Sequence, residues 1–411
     1  MNGWRRASWC AFDFANSSFT TIVVTVHFGP WFTQHVAPRH ADATFSPDTT
    51  WALVNAAGTL LAALLATPLG AMADARGWRR AFLTLTVAVC CGATLLLSSA
   101  ETLVPVSLLF IVALSAFLLS ENAISAFLPS IATPAEFGRM SGLGWSIGYA
   151  GGLLALLTVG PFASSGDMPS ALRLTALFFC VAALPALVFL REPPRAHVTA
   201  LTLGDWLRKH RAQHVDTGRF LLALLFFQAG VSVIITMAAV YAQESVQLDS
   251  SELAGLFIVL QVAAAIGAYG FGQLQDRIGL LRALALSLII WVIAVVCCTA
   301  SSERASFLCG AALAGLGMGA TQASGRAVIA AFAPPDRTAT WFGLWGFAGK
   351  GAALFGLVLF AALRVVLPLR ESMLYCGLLF VAGLVLLGRV DFARGRAAAV
   401  PSSRQAAQPT H

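Results

Sequence analysis

Long apolar segments recur along the whole chain and are separated by short polar stretches. A membrane-spanning α-helix needs roughly 20 mostly apolar residues to cross the hydrocarbon core of a bilayer. The pattern therefore predicts an all-α membrane protein with twelve transmembrane helices. The predicted spans are 15–37, 51–73, 81–99, 103–129, 139–163, 171–190, 219–242, 252–274, 281–300, 305–332, 338–367 and 371–390. The first span is the most polar of the twelve.

The composition supports this interpretation. Hydrophobic residues make up 58% of the chain and charged residues 11%, whereas a soluble domain is about 25% charged. The shortage of charge excludes a soluble enzyme, a disordered chain and a disulfide scaffold.

The basic residues predict the orientation of the chain. The net charge is +7, from 26 Lys and Arg against 19 Asp and Glu. Nineteen of these basic residues fall on the side of the two termini, five on the other side and two within spans. Basic loops stay inside, so we expect a multi-pass protein of the plasma (inner) membrane with both termini in the cytoplasm. The basic residues do not form a face interleaved with aromatic residues, so no nucleic-acid partner is expected.

Two similar groups of residues lie 202 positions apart. They follow the second and the eighth predicted span, respectively: Gly70, Asp74, Gly77 and Arg80, then Gly272, Asp276, Gly279 and Arg282. The repeat predicts two six-helix halves in the same orientation, an architecture of secondary transporters. The halves are residues 1–190 and 219–390, with a cytoplasmic linker at 191–218 and a cytoplasmic tail at 391–411.

The repeated groups resemble the signature of the major facilitator superfamily. Other blocks resemble its Atg22-like branch, and they lie at 9–19, 127–132, 141–145, 322–326 and 342–350. The resemblance implies a transporter that works by alternating access, with spans 1, 4, 7 and 10 lining a central cavity. Members of the branch resemble vacuolar amino-acid effluxers, which implies outward movement of amino acids or similar small zwitterions.

The signature residues are candidate gating residues. Glycine lets helix ends approach and turn, and an aspartate among cations can form charge-assisted hydrogen bonds. We therefore expect both repeated groups to close and open a gate, together with Arg277 and with Asp13 at the border of the first span. The alternative is a basic turn that merely holds the loop inside.

Three charged side chains within spans are candidate solute- or ion-binding residues. Each costs roughly 2.5–3.5 kcal/mol at a helix centre on insertion scales. Glu121 and Arg326 occupy equivalent helices of the two halves, so we expect an ion pair between them across the cavity. Glu121 is the candidate proton carrier, and Lys350 is expected to hold a solute carboxylate or to pair with an acid. Alternatively, Arg326 reaches the membrane surface and Lys350 forms a static structural pair.

Neutral polar residues complete the predicted binding site. They lie on the helices expected to line the cavity: Asn16, Ser17, Asn122, Gln228 and Gln322. Hydrogen bonding between helices is the alternative role for each of them. His27 is a further candidate, with a satisfied interior histidine as the alternative.

The sequence predicts a secondary active transporter rather than an enzyme. Ser146 lies in a G-x-S-x-G match, but a hydrolase needs a strand-to-helix context there. No ATP-binding motif is present, so a gradient is the expected energy source, and no cofactor or metal is expected. The expected partners are a small-molecule solute, protons as a candidate coupling ion, and the lipid bilayer, with the protein acting as a monomer. Alternative functions are export of drug-like or peptide-like solutes, or a non-transporting membrane sensor or scaffold.

Overall fold

The computed structural model describes residues 2–39, 46–192, 214–300 and 303–399. These residues form helices and turns, with no β-strand among them. The long helices are α1 Asn2–Phe19, α2 Pro47–Arg76, α3 Arg79–Leu97, α4 Leu103–Ser125, α5 Phe137–Thr158, α6 Met168–Phe189, α7 Val215–Ser245, α8 Ser250–Ile278, α9 Leu280–Ala300, α10 Arg304–Phe332, α11 Thr338–Val366 and α12 Leu369–Leu387. Ten of the twelve, all except α1 and α10, are long and apolar enough to cross a membrane by length and composition. The predicted all-α fold of two six-helix halves is confirmed.

The first helix begins well before its predicted start at residue 15. α1 starts at Asn2, and its N-terminal part packs against α5 and α6, with Trp9 and Phe12 fully buried. The hydropathy pattern missed this part because it is polar, with Ser8 and Asp13 buried against other helices instead of facing lipid. Asp13 consequently lies inside a helix and is buried, so its expected place at the border of the span is wrong.

After α1, the chain continues away from the N-terminus as a wider helical turn. Residues Thr20–Val26 form a π-helical segment, and the amide of His27 donates to the carbonyl of Ile22 at 3.2 Å. Such π segments often lie at functional sites, because the extra residue changes which side chains face inwards. Here the segment contributes Thr20 and Thr25 to the central cavity.

Both described ends of the chain lie on one side of the helix bundle, which we call the terminal side. Near the N-terminus, Arg6 binds the carboxylate of Glu136, just before α5, at 2.6 Å. Near the C-terminus, Phe392–Ala398 form a short helix, α13. The ring of Phe392 packs on that of Phe332 at the end of α10, with the ring centroids 5.6 Å apart. Residues 193–213 of the predicted linker and 400–411 of the predicted tail lie outside the described residues.

The two halves meet through close helix pairs that depend on glycine. α2 packs against α11, and α5 packs against α8. A Cβ atom on Gly70 of α2 would collide with the carbonyl oxygen of Ala339 in α11, and one on Gly142 of α5 would lie 2.6 Å from the Cα atom of Gly272 in α8. The missing side chains thus let the two halves come into backbone contact near the terminal side.

Candidate functional site

A cavity of about 520 Å³ lies between the two halves. It is lined by α1, α4, α7 and α10, as the resemblance implied, and also by residues of α2, α5, α8, α9, α11 and α12. The lining extends away from the terminal side, to Thr25 after α1 and to Asn55 and Phe257 near the starts of α2 and α8. Thr25 is solvent-exposed. The structure therefore has its cavity open on the side opposite the termini.

Among the described residues, four charged side chains line this cavity. Asp13 of α1 and Glu121 of α4 belong to the N-terminal half, whereas Arg326 of α10 and Lys350 of α11 belong to the C-terminal half. Both acids are thus on one half and both bases on the other. They form two ion pairs that each join the halves.

The first pair joins Glu121 to Lys350. The Lys350 Nζ atom lies 3.9 Å from Glu121 Oε2, which is longer than a hydrogen bond. The Glu121 side chain is 26% exposed and the Lys350 side chain 16%, so both are accessible from the cavity. The expectation that Lys350 pairs with an acid agrees with this geometry.

The second pair joins Asp13 to Arg326 and differs from the sequence-based expectation. Arg326 Nη1 donates to Asp13 Oδ2 at 2.8 Å, whereas the sequence predicts a pair between Arg326 and Glu121. The early start of α1 explains the difference, because it brings Asp13 into the bundle. Arg326 also does not reach the membrane surface, since its side chain is 2% exposed.

The predicted neutral polar residues divide into two groups. Asn16, Ser17, Gln228 and Gln322 line the cavity. Asn122 does not, because it follows Glu121 by one residue and so points about 100° away from it. Its amide group packs against Gly346 of α11, where an added Cβ would be 2.6 Å from its oxygen.

His27 also lies outside the cavity lining, contrary to its place among the candidate binding residues. It ends the π-helical segment after α1. Its Nε2 atom is close to Gly160, where an added Cβ would be 3.3 Å away. The side chain is therefore packed beside the turn that follows α5.

On the terminal side, Asp74 at the end of α2 connects the two halves. Its carboxylate accepts hydrogen bonds from the Thr340 amide and hydroxyl, both at 2.7 Å, and from the Ala339 amide at 3.2 Å. These amides belong to the first turn of α11, where the free N–H groups and the helix dipole favour an anion. Gly77 ends α2 with φ +67°, a left-handed conformation that suits glycine.

The arginine at this contact is Arg79 rather than the predicted Arg80. Arg79 Nε donates to Asp74 Oδ1 at 2.6 Å, and its Nη2 donates to the Pro335 carbonyl of the other half at 3.2 Å. Arg80 is exposed, and its Nε donates to the Leu187 carbonyl within its own half. The sequence motif contains both arginines. Because adjacent residues of a helix point in different directions, Arg79 faces Asp74 and Arg80 does not.

The second repeated group makes an equivalent contact with weaker geometry. Asp276 at the end of α8 accepts from the Arg139 amide, in the first turn of α5, at 3.2 Å. Gly279 follows with φ +95°. Arg277 and Arg282 are both exposed. Each half thus places an aspartate at the N-terminus of a helix in the other half.

Sequence reasoning missed several side chains of the site. Ser141 contacts Arg326 from α5, and Tyr149 and Gln261 line the cavity. Ser141 lies in one of the blocks that resemble the family, and that resemblance is the sequence feature that could have identified it. The described residues contain no cluster of three or more metal-ligating side chains.

Comparisons with known proteins agree with this architecture. A family model described as "Vacuole effluxer Atg22 like" matches residues 1–400. The uncharacterized MFS-type transporter YxiO of Bacillus subtilis is 25% identical over 404 residues, covering 93% of this chain and 94% of that protein. Autophagy-related protein 22 of Cryptococcus neoformans is 25% identical over 299 residues, covering 64% of this chain and 52% of that protein.

Solved structures show the same fold. The crystal structure of the human organic anion transporter MFSD10 (TETRAN) matches with a TM-score of 0.79 and 15% sequence identity. The match covers 94% of this chain and 99% of that one. The protein is therefore a membrane transporter of the major facilitator type, and the chain belongs to the Atg22-like family.

Proposed function

We propose that the protein exports amino acids or similar small zwitterionic solutes across the plasma membrane by alternating access. The observation that carries this proposal is the Glu121–Lys350 pair, which offers one negative and one positive group to a single ligand. An α-amino acid carries its ammonium and carboxylate on the same carbon atom. Its ammonium would bind Glu121 and its carboxylate Lys350, so the solute would take the place of the pair's own contact.

Neutral polar groups around the pair support binding of such a solute. Asn16, Ser17, Gln228 and Gln322 line the same cavity and supply hydrogen-bond donors and acceptors. A charged ligand that leaves water needs such partners, because an unpaired polar group in a buried site costs free energy. The spacing between Lys350 Nζ and Glu121 Oε2, at 3.9 Å, leaves the ion pair without a direct hydrogen bond.

The outward direction rests on two further arguments. The matching family is described as effluxers, and the distribution of basic residues predicts that the terminal side faces the cytoplasm. The cavity in this structure would then face outwards, which is the release state of an exporter. We further propose that Glu121 carries a proton, because neutralising this carboxylate releases Lys350 from its partner.

A larger solute is the second candidate. A cavity of about 520 Å³ is in the range that accommodates drug-sized ligands. Its walls include the aromatic side chains of Trp145, Tyr149 and Trp345, which suit an apolar solute group. A competition experiment separates the two candidates: if the site takes drug-like solutes and not amino acids, an excess of amino acids leaves the uptake of a labelled drug-like solute unchanged.

The proposal is tested by uptake of a labelled amino-acid mixture into proteoliposomes, with and without an imposed pH gradient. We expect accumulation that follows the gradient and is lost in Lys350→Gln. In Glu121→Gln, the pH-gradient dependence is expected to disappear. Glu101→Gln is the matched control, because Glu101 is exposed just before α4 and is expected to behave like the unmodified protein. Absence of accumulation with folded protein would reject the amino-acid assignment.

A further inference from the structure

The Arg326 guanidinium of the C-terminal half is held by polar groups of the N-terminal half. Its Nη1 donates to Asp13 Oδ2 at 2.8 Å, its Nε to Ser141 Oγ at 3.0 Å and its Nη2 to the Ser141 carbonyl at 2.8 Å. Asp13 is on α1 and Ser141 on α5. Separation of the halves at this point therefore breaks all three hydrogen bonds together.

Two tryptophans enclose the same guanidinium. The Arg326 Cζ atom lies 4.4 Å from the ring centre of Trp9 and 5.3 Å from that of Trp145, both in the N-terminal half. The Trp9 indole is itself fixed, since its Nε1 donates to the Ile124 carbonyl at 2.8 Å. Aromatic faces stabilise a desolvated cation, and a planar guanidinium matches them better than an ammonium does.

The space around this ion pair requires a glycine. A Cβ atom on Gly144 would collide with Asp13 Oδ2 and would lie 2.6 Å from the Trp9 ring and 2.7 Å from Arg326 Nη2. The absence of that side chain lets α5 approach the ion pair. Steric, hydrogen-bonding and aromatic contacts of two helices, α1 and α5, thus all hold one buried cation of α10.

The position of this cluster gives it a conformational role. Asp13 and Arg326 line the cavity, and the side chain of Ser141 also donates to the Ala323 carbonyl of α10 at 2.7 Å. The contacts therefore join α1 and α5 to α10 at the closed, terminal side of the cavity. Glu121 and Lys350, in contrast, are partly exposed to the cavity, and Lys350 Nζ and Glu121 Oε2 lie 3.9 Å apart.

We propose that Asp13, Ser141 and Arg326 form a gate that keeps the terminal side of the cavity closed, and that Arg326 controls this conformation rather than binding solute. The proposal rests on alternating access but on no particular solute. It assigns Glu121 and Lys350 to the ligand and the Asp13–Arg326 pair to the conformational change. Breaking the pair is expected to favour the conformation in which the terminal side is open.

Two introduced cysteines report the conformation. Thr67 of α2 is 4% exposed, and its backbone would contact a Cβ on Gly343 of α11, so Thr67→Cys becomes accessible when the terminal side opens. Thr25→Cys reports the opposite side, where it is exposed in this structure. N-ethylmaleimide modification of purified protein in detergent is quantified at each position by peptide mass spectrometry, which distinguishes these sites from the native cysteines.

Removing one partner of a buried ion pair is strongly destabilising for the state that contains it. We therefore expect Asp13→Asn and Arg326→Gln each to raise the labelling rate of Thr67→Cys at least about tenfold and to lower that of Thr25→Cys. The double variant is expected to match the larger single effect, since one interaction is lost in all three. Unchanged labelling in both single variants, or independent effects that multiply in the double variant, would overturn the gate.

Two control comparisons distinguish loss of this gate from a general loss of folding. Asp216→Asn removes a buried carboxylate of α7 whose arginine partners, Arg219 of α7 and Arg394 of α13, do not belong to the N-terminal half, so Thr67→Cys labelling should stay unchanged. If the charge variants fail to fold, Gly144→Ala is compared with Gly349→Ala, because an added Cβ at Gly349 meets nothing within 4 Å. Equal labelling in that pair would also reject the proposal. Neither readout requires a transported solute, so failure of the amino-acid assignment leaves this test intact.

Discussion

Asp74→Asn is expected to weaken the contact between α2 and α11 and to favour opening of the terminal side. The Asp74 carboxylate accepts three hydrogen bonds from Ala339 and Thr340 of the other half, at 2.7–3.2 Å. Its ion pair with Arg79 lies within one half and persists when the halves separate. The hydrogen bonds between the halves therefore set the effect on the conformational equilibrium.

The size of the effect follows from these contacts. A hydrogen bond to a charged group contributes about 1.5–3 kcal/mol, and asparagine keeps one acceptor oxygen while losing the charge. We take about 2 kcal/mol as the net change for Asp74→Asn, which corresponds to roughly 30-fold in the conformational equilibrium. Thr340→Val removes the hydroxyl donor alone, so about 1 kcal/mol, or roughly fivefold, is expected.

The labelling rate of Thr67→Cys measures this equilibrium, and initial transport rates in proteoliposomes measure its consequence. Transport is expected to slow in both variants at equal protein levels in the membrane, because each turnover requires the closed terminal side. The reasoning is refuted if Thr340→Val has the larger effect, or if neither variant changes the labelling rate. The double variant should fall short of the product of the two single effects, since the hydroxyl donates to the substituted carboxylate.

Three further predictions concern packing and charge elsewhere in the bundle. Gly70→Ala is expected to slow transport strongly, because the added Cβ collides with the Ala339 carbonyl, whereas Gly92→Ala is expected to be neutral, since nothing lies within 4 Å of its added Cβ. Asp276→Asn is expected to slow transport less than Asp74→Asn does, because its hydrogen bonds from the Arg139 amide are 3.2–3.3 Å long, and initial rates measured side by side decide the order. Asp216→Asn is expected to lower the melting temperature by about 1 °C, since a buried carboxylate loses two half-exposed arginine partners worth about 1 kcal/mol and the unfolding entropy of a chain of this length is large. An unchanged thermal unfolding curve would contradict that last prediction.

Much of the fold follows from the pattern of apolar segments and the internal repeat. Eleven of the predicted spans correspond closely to observed helices, because each is a long, mostly apolar stretch bounded by polar residues. The start of α1 does not follow from this pattern, since its first part is polar and its buried polar residues Ser8 and Asp13 face other helices instead of lipid. The mean hydropathy of a segment identifies helices that contact lipid, but it does not identify polar residues that are buried against other helices.

The pairing of charges was harder to predict than their presence. The cost of burying Glu121, Arg326 and Lys350 indicated that each needs a partner. Which acid meets which base depends on the rotation and depth of the helices, and these are set by tertiary packing. The same limit explains why Arg79 rather than Arg80 contacts Asp74, because the two side chains differ by one residue and about 100° on the helix.

The separation of cavity charges between the halves has a kinetic consequence. With Asp13 and Glu121 on one half and Arg326 and Lys350 on the other, the halves attract each other when the cavity is empty. Moving apart without a ligand leaves opposite charges facing each other across a wider gap with no partner. Under the proposed function, a zwitterion or a proton at the Glu121–Lys350 pair compensates two of these charges, so the loaded protein is expected to change conformation more readily than the empty one. Unlabelled solute on the far side of the membrane should therefore accelerate the movement of labelled solute, so that counterflow exceeds net movement.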